Sequence, residues 1–161
     1  MEPNERLLES VSVAWNDHKV SVTKIKDVLM FVEKNYIAPN RKQPVYQMAI
    51  EIFRSNLIYH PNIRNRLRTI LLENIELERN GMLIDRSIMK SILTMLEEVS
   101  TDGMNIYEAE FEQHFIDATK EYYHQESQEF LSQNSCPSYL LKAESRINEE
   151  FLRSRFVPLV I

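Results

Sequence analysis

The chain has 161 residues, of which 43% are hydrophobic and 27% charged, and its formal net charge is -5. That length buries roughly 70% of the surface of the unfolded chain, and the composition excludes both the low-hydrophobicity profile of intrinsic disorder and a collagen-like bias. The acidic balance argues against nonspecific nucleic-acid binding, which needs a basic surface to displace phosphate counterions.

Gly81 and Gly103 are the only glycines, where about 7% is usual, so few positions accept the positive φ of tight hairpins and a β-rich fold is disfavoured. Cys136 is the only cysteine. An intrachain disulfide and a zinc site of several thiolates are therefore ruled out, and a reducing compartment fits. Glu2, Glu5, Glu9 and Asp17 interrupt the first twenty residues, which is wrong for a secretory signal. No run approaches the roughly 18 apolar residues of a membrane span, so the expectation is a soluble chain in the cytoplasm, the nucleus or both, with no membrane partner.

In chain order, the spacing predicts six helices. The first starts near Glu5 and ends before Pro39, because the residue preceding a proline is pushed out of the helical region. Its apolar stripe Ile25, Val28, Leu29, Val32 and Tyr36 is expected to seat one face against a neighbour. Asn40 to Pro44 reads as a polar loop. A second helix covers Val45 to Tyr59 with Met48, Ile52, Phe53 and Tyr59 inward, and it stops at His60-Pro61. The third carries Ile63, Leu67, Ile70, Leu71 and Ile75 at helical period and ends on an Asn80-Gly81 cap.

Asp85 is placed to cap a fourth helix whose inner face is Ile88, Ile92, Met95, Leu96 and Val99, with Thr101-Asp102-Gly103 as its stop. The fifth is a long strut from Ile106 to Gln133, with Tyr107, Phe111, Phe115, Ala118 and Tyr122 on one stripe. Ser135 and Pro137 suit the start of a sixth, which turns Leu141, Ile147 and Phe151 inward. Beyond Arg153 the apolar run Phe156-Val157-Pro158-Leu159-Val160-Ile161 either folds back or stays sticky. No linker divides the helices and no period of about 20 to 50 residues repeats.

Catalytic and metal patterns are lacking. His18, His60, His114 and His124 are spread out, with no pair at the i, i+4 spacing of a zinc helix. There is no glycine-rich phosphate loop, no G-x-S-x-G elbow and no Walker lysine. Cys136 reads as a small, partly buried hydrophobe beside a helix start. Glu108, Glu110 and Glu112, the pair Glu149 and Glu150, and the basic group Arg64, Arg66 and Arg68 all read as solvated helix faces. The aromatic stripe reads as core. No enzyme activity and no cofactor is indicated, which leaves recognition as the function.

Three stretches together resemble the cullin family, the elongated scaffolds of a class of ubiquitin ligases. Ala14-Trp15-Asn16-Asp17-His18 followed by Ile25-Lys26-Asp27-Val28-Leu29-Met30-Phe31 is similar to the helix that closes the first cullin repeat. Ile52-Phe53-Arg54, Leu71-Leu72 and Glu78-Arg79-Asn80-Gly81 with Asp85-Arg86 are similar to the early helices of the second repeat. Glu126-Ser127-Gln128-Glu129-Phe130-Leu131 and Arg146-Ile147-Asn148-Glu149-Glu150 are similar to its later ones. Singly these motifs are weak, but their order and spacing over about Val13 to Glu150 are specific, and they are nearest to the class that recruits BTB-domain adaptors.

The resemblance implies an all-α, cullin-repeat-like array of about six helices within a curved stalk. Residues 1–39 would close the first repeat, 40–152 would form the second, and 153–161 would be a divergent tail. It implies a non-catalytic scaffold segment acting in ubiquitin-dependent protein catabolism, with BTB-type adaptors and ubiquitin ligase subunits as partners. The adaptor-contacting positions correspond to Met30, Phe31 and Lys34, where the family's Tyr and Arg are Phe31 and Lys34, so a hydroxyl is lost and a planar guanidinium becomes a point charge. The family's other adaptor-contacting helix would lie upstream of Met1, and its C-terminal domain, which holds the RING subunit, would be missing. The geometry of the helix predicts that Phe31 and Lys34 are solvent-exposed. The alternative reading is a truncated helical repeat module with a purely structural role or with other protein partners.

Overall fold

The computed structural model describes residues 3–100 and 105–157, and every element within them is helical. Helix α1 (Pro3–Val32) runs on through a π-helical turn at Glu33–Ile37, and α2 (Val45–Phe53) does the same at Arg54–Ile58. They are followed by α3 (Pro61–Arg79) and α4 (Arg86–Glu98). A third π turn, Glu108–Glu112, opens α5 (Gln113–Gln133), and α6 (Cys136–Arg153) completes the array. Six α-helices in the expected order thus stand among the described residues. The expected stop at Thr101-Asp102-Gly103 and the tail residues Pro158 to Ile161 lie outside them.

Local chemistry sets the boundaries. After α1 the chain reverses through Arg41, which takes a φ of 51°, while the Asn40 amide donates back to the Tyr36 carbonyl at 2.7 Å. Pro61 opens α3, where the absent N–H costs nothing. At its other end the Gly81 N–H bonds Glu78 O and the Met82 N–H bonds Leu77 O. This pair is the Schellman arrangement, and it needs the positive φ of 83° that Gly81 supplies. Asp85 accepts from the Ser87 and Ile88 backbone N–H groups at 2.9 and 3.1 Å and so caps α4.

Helix α4 is the centre of the molecule. Met89, Ile92, Leu93, Met95, Leu96 and Val99 are all buried, and they meet Leu8, Val11 and Trp15 of α1, Ile50, Phe53 and Ile58 of the α2 segment, and Leu67, Ile70, Leu71 and Ile75 of α3. Ile106, Tyr107, Phe111 and Phe115 at the start of the α5 segment complete the same core. Phe156 and Val157 of the tail fold back into it, and the Arg86 guanidinium lies 5.3 Å over the Phe156 ring.

Trp15 pins α1 in place. Its indole N–H donates to Glu98 Oε2 at 2.9 Å, its ring packs 4.8 Å from Phe53, and Lys19 sits over it while bonding the same Glu98. His18 lies 5.0 Å from the Phe53 ring and pairs through Nε2 with the Ala49 carbonyl. The tryptophan-x-x-histidine spacing is therefore a clamp that joins α1, α2 and α4.

Inward assignments on three helices are corrected. Ile25, Val28, Val32 and Tyr36 are exposed, because the 30-residue α1 is longer than the helices packed on it and its burial ends at Val22. In the second helix Met48, Ile52 and Tyr59 are exposed and Ile50, Phe53 and Ile58 are buried. The buried row is Ile50 and Phe53, an ordinary i, i+3 pair that Met48 and Ile52 flank on the outside, and across the π turn it continues five residues on at Ile58. Leu141, Ile147 and Phe151 of α6 point to solvent, and Cys136 is exposed. Helix α6 packs beside α5 and the end of α3, and the face it turns towards them is charged.

Candidate protein-interaction surface

Met30, Phe31 and Lys34 lie on the part of α1 that extends beyond its neighbours, and all three are exposed, Phe31 at 77%. Met30 and Lys34 are four residues apart and share a face, with Phe31 beside them. Among the described residues Lys34 forms no ion pair, so its ammonium is open to a partner. The five-residue apolar stripe from Ile25 to Tyr36 occupies the other side of the same helix. Both sides of this half of α1 are thus largely exposed, with Leu29 half-buried and Lys42 lying over the Tyr36 ring, while the clamp at Trp15 holds the half that anchors it.

A second feature was not expected from the sequence: the joint between α3, α5 and α6 is polar and buried. Arg79, at the C-terminal end of α3, donates to Glu150 at 2.9 Å and to the Thr119 hydroxyl at 2.7 Å, and its guanidinium lies over the rings of Phe115, Tyr122 and Tyr123. Glu150 also accepts from Tyr123 and pairs with Arg153. Arg153 in turn pairs with Glu78, which also receives Arg86. One turn back along α6, Arg146 forks onto Glu126 of α5 and reaches Glu149 and the Arg79 carbonyl.

The electrostatics of this joint follow from its partners. Burial opposes the charge on Glu150, but hydrogen bonds from Arg79, Tyr123 and Arg153 outweigh it, and the carboxyl is held below the usual carboxylate range. Glu126 behaves likewise: burial is outweighed by bonds from Arg146 and Lys142, and its pKa is lowered. Burial first, and then the bond to Glu150, push the Tyr123 hydroxyl up to about 12. Glu150 and Glu126 are consequently carboxylates at neutral pH, with Tyr123 as a neutral donor.

Glu108, Arg64 and Arg66 are exposed, as a solvated face requires, but the contacts correct that reading for Glu110, Glu112, Glu150 and Arg68. Glu150 is a joint residue, Glu112 is buried, and Arg64 and Arg68 converge on Glu110, with Arg68 also 2.8 Å from His114. A signal was present in α6. Lys142, Arg146, Glu150 and Arg153 recur at helical spacing, as the apolar stripe does, so periodicity alone leaves open which stripe is inward.

Between α5 and α6 lies an open groove of about 430 Å³, bordered by Tyr123, Phe130, Tyr139, Ala143 and Ile147 with Glu126 and Arg146 at its floor. Among the described residues no three metal-type ligands converge, and no helix is long and apolar enough to cross a membrane.

Comparison with known proteins agrees with this architecture. Residues 1–158 match the Cullin alpha solenoid domain. The chain is 36% identical over 146 residues to Cullin-3A of Arabidopsis thaliana, covering 91% of this chain and 20% of that protein. It is 33% identical over 150 residues to Cullin-3 of Dictyostelium discoideum, covering 93% and 20%, and 28% identical over 144 residues to Cullin-4A of Homo sapiens, covering 89% and 18%. The chain spans about a fifth of the length of the curated relatives it matches. An array of six helices in the expected order, matched along nearly its whole length by that domain, belongs to the cullin family.

Proposed function

We propose that this chain is a non-catalytic scaffold segment of a cullin-type ubiquitin ligase, acting in the cytoplasm or nucleus in ubiquitin-dependent protein turnover. On this reading it engages BTB-type adaptors through Met30, Phe31 and Lys34. The observation that carries the proposal is the exposure of this aromatic-and-cation patch on a helix whose other half is clamped. A rigid helix presenting a free aromatic is the form that a protein-docking anchor takes. The similarity to Cullin-3 proteins from plant and slime mould supports the choice of BTB adaptors over other classes.

One helix face buries less than the about 1,200 to 2,000 Å² of a stable complex, so binding should be micromolar. Titration calorimetry of the whole chain against a BTB-domain adaptor tests this. Phe31→Ala should weaken binding roughly 10-fold, in line with the loss of a moderate aromatic anchor. Affinity unchanged by Phe31→Ala places the adaptor elsewhere, and no heat at any concentration removes the adaptor role.

A further inference from the structure

The exposed end of α1 differs from the rest of the molecule in charge. Residues 23–42 carry five basic side chains, Lys24, Lys26, Lys34, Arg41 and Lys42, against two acidic ones, Asp27 and Glu33, for a formal +3. The remaining residues hold fourteen basic and twenty-two acidic side chains, a formal -8. A basic end thus projects from an acidic body.

The two regions also use their cations differently. Elsewhere in the chain nine basic side chains, from Lys19 to Arg153, close salt bridges with carboxylates of the same chain. Among the described residues none of the five at the end of α1 does so, and all five are exposed. Lys42 rests on the Tyr36 side chain, which leaves its charge uncompensated. The fold consumes most of its other cations but leaves these open to a partner.

The geometry says how that charge acts. Lys24 and Lys34 bracket Phe31 over about 15 Å of helix, and Lys26, two residues from Lys24, points to the opposite side. Side chains so spread do not form one contact row on a partner. They act together as a field around the anchor. A partner with a negative docking face is drawn to this end and repelled by the acidic body, so it arrives oriented before Phe31 is seated. Fields of this kind raise association rates by roughly 10- to 1,000-fold and fade as salt is added.

We infer that the partner seated on Met30, Phe31 and Lys34 presents an acidic face, and that the basic end of α1 selects it by steering its approach. The inference rests on the adaptor reading and adds the class of adaptor taken, a BTB-domain protein whose docking face is acidic.

Stopped-flow association of the whole chain with two BTB-domain adaptors, one acidic and one basic in net charge, tests it between about 20 and 500 mM sodium chloride. At low salt the acidic adaptor should associate at least about 10-fold faster than the basic one, and at high salt within about 2-fold, with dissociation rates little changed. Lys24→Glu with Lys26→Glu, both outside the proposed contact, should remove that advantage. Lys90→Glu with Lys120→Glu makes the same change in net charge at exposed positions on α4 and α5, and should leave the rates within about 3-fold. All four positions are exposed, so both double variants should keep the wild-type far-ultraviolet circular dichroism spectrum. Equal rates for the two adaptors at low salt, rates independent of salt, or equal slowing by the two double variants overturns the inference, while binding weakened by Phe31→Ala then keeps the adaptor reading. Binding of neither adaptor at any salt removes both. Capture of the chain by phosphatidylserine vesicles, lost with Lys24→Glu and Lys26→Glu, assigns the charge to a lipid surface and also overturns the inference.

Discussion

Replacing Glu150 by glutamine tests the claim that the joint between α3, α5 and α6 is held by charge rather than by apolar packing. The side chains of Arg79 and Arg153 are each only 3% exposed and both face Glu150. Losing one partner of a fully buried ion pair costs about 3 to 5 kcal/mol, because the remaining charge is left uncompensated. Here the loss is partly offset. Arg153 keeps Glu78, Arg79 keeps Thr119 and three aromatic faces, and Glu150 itself is 25% exposed. An expected cost of about 2 to 3 kcal/mol follows, or a fall in melting midpoint of roughly 5 to 10 °C for a chain of this size.

The pH dependence supplies the second readout. The folded-state pKa of Glu150 is lowered, so its contribution is complete above the unfolded value of about 4.3 and is lost as the pH falls through the folded value. Urea titrations of the wild type and Glu150→Gln should therefore differ by the full amount at neutral pH and converge in acid. Glu126 titrates in both proteins and cancels from the difference. Glu144→Gln, on the outer face of α6, should stay within about 0.5 kcal/mol of wild type at every pH. A Glu150→Gln midpoint equal to wild type, or a difference that persists undiminished in acid, refutes the reasoning.

Three further variants probe other parts of the molecule. Leu71→Ala opens a cavity in the core around α4 and should cost about 2 to 5 kcal/mol; an unchanged denaturation midpoint would mean that the buried face of α3 is misassigned. Gly81→Ala should cost about 1 kcal/mol in chemical denaturation. A Cβ there meets nothing within 4 Å, so that cost is the positive φ alone, and a neutral result would remove the Schellman cap from the account. Asp85→Ala should destabilise by about 1 kcal/mol, with Asp85→Asn recovering most of the loss because the amide oxygen still accepts from the two N–H groups.

Much of the fold is legible in the sequence because short-range chemistry dictates it. Pro61, the Asn80-Gly81 cap and the Asp85 cap act within a few residues, and the helices they bound carry apolar spacings that persist for several turns. The core faces of α3 and α4 are legible for the same reason: each has a single apolar stripe opposite a charged face, so only one orientation buries it. The adaptor-type patch is legible in another way. The expected exposure of Met30, Phe31 and Lys34 is found, but it comes from α1 outrunning its neighbours, which exposes the opposite stripe as well, and their binding role rests on the family resemblance.

The second helix offers two apolar rows, and the buried one is Ile50, Phe53 and, five residues on across the π turn, Ile58, while Met48, Ile52 and Tyr59 face outward. What the sequence determined by itself is the helical class, the boundaries and the presence of two opposed stripes on α1 and α6. Which stripe is buried was decided by tertiary structure. On α1 the length of the neighbouring helices settles it, because packing stops at Val22 while the apolar spacing continues to Tyr36. On α6 the deciding partner is Arg79, delivered from the end of α3 some seventy residues away in sequence. A buried guanidinium must be met by carboxylates, so Glu150 turns inward and Leu141, Ile147 and Phe151 are carried to the outside.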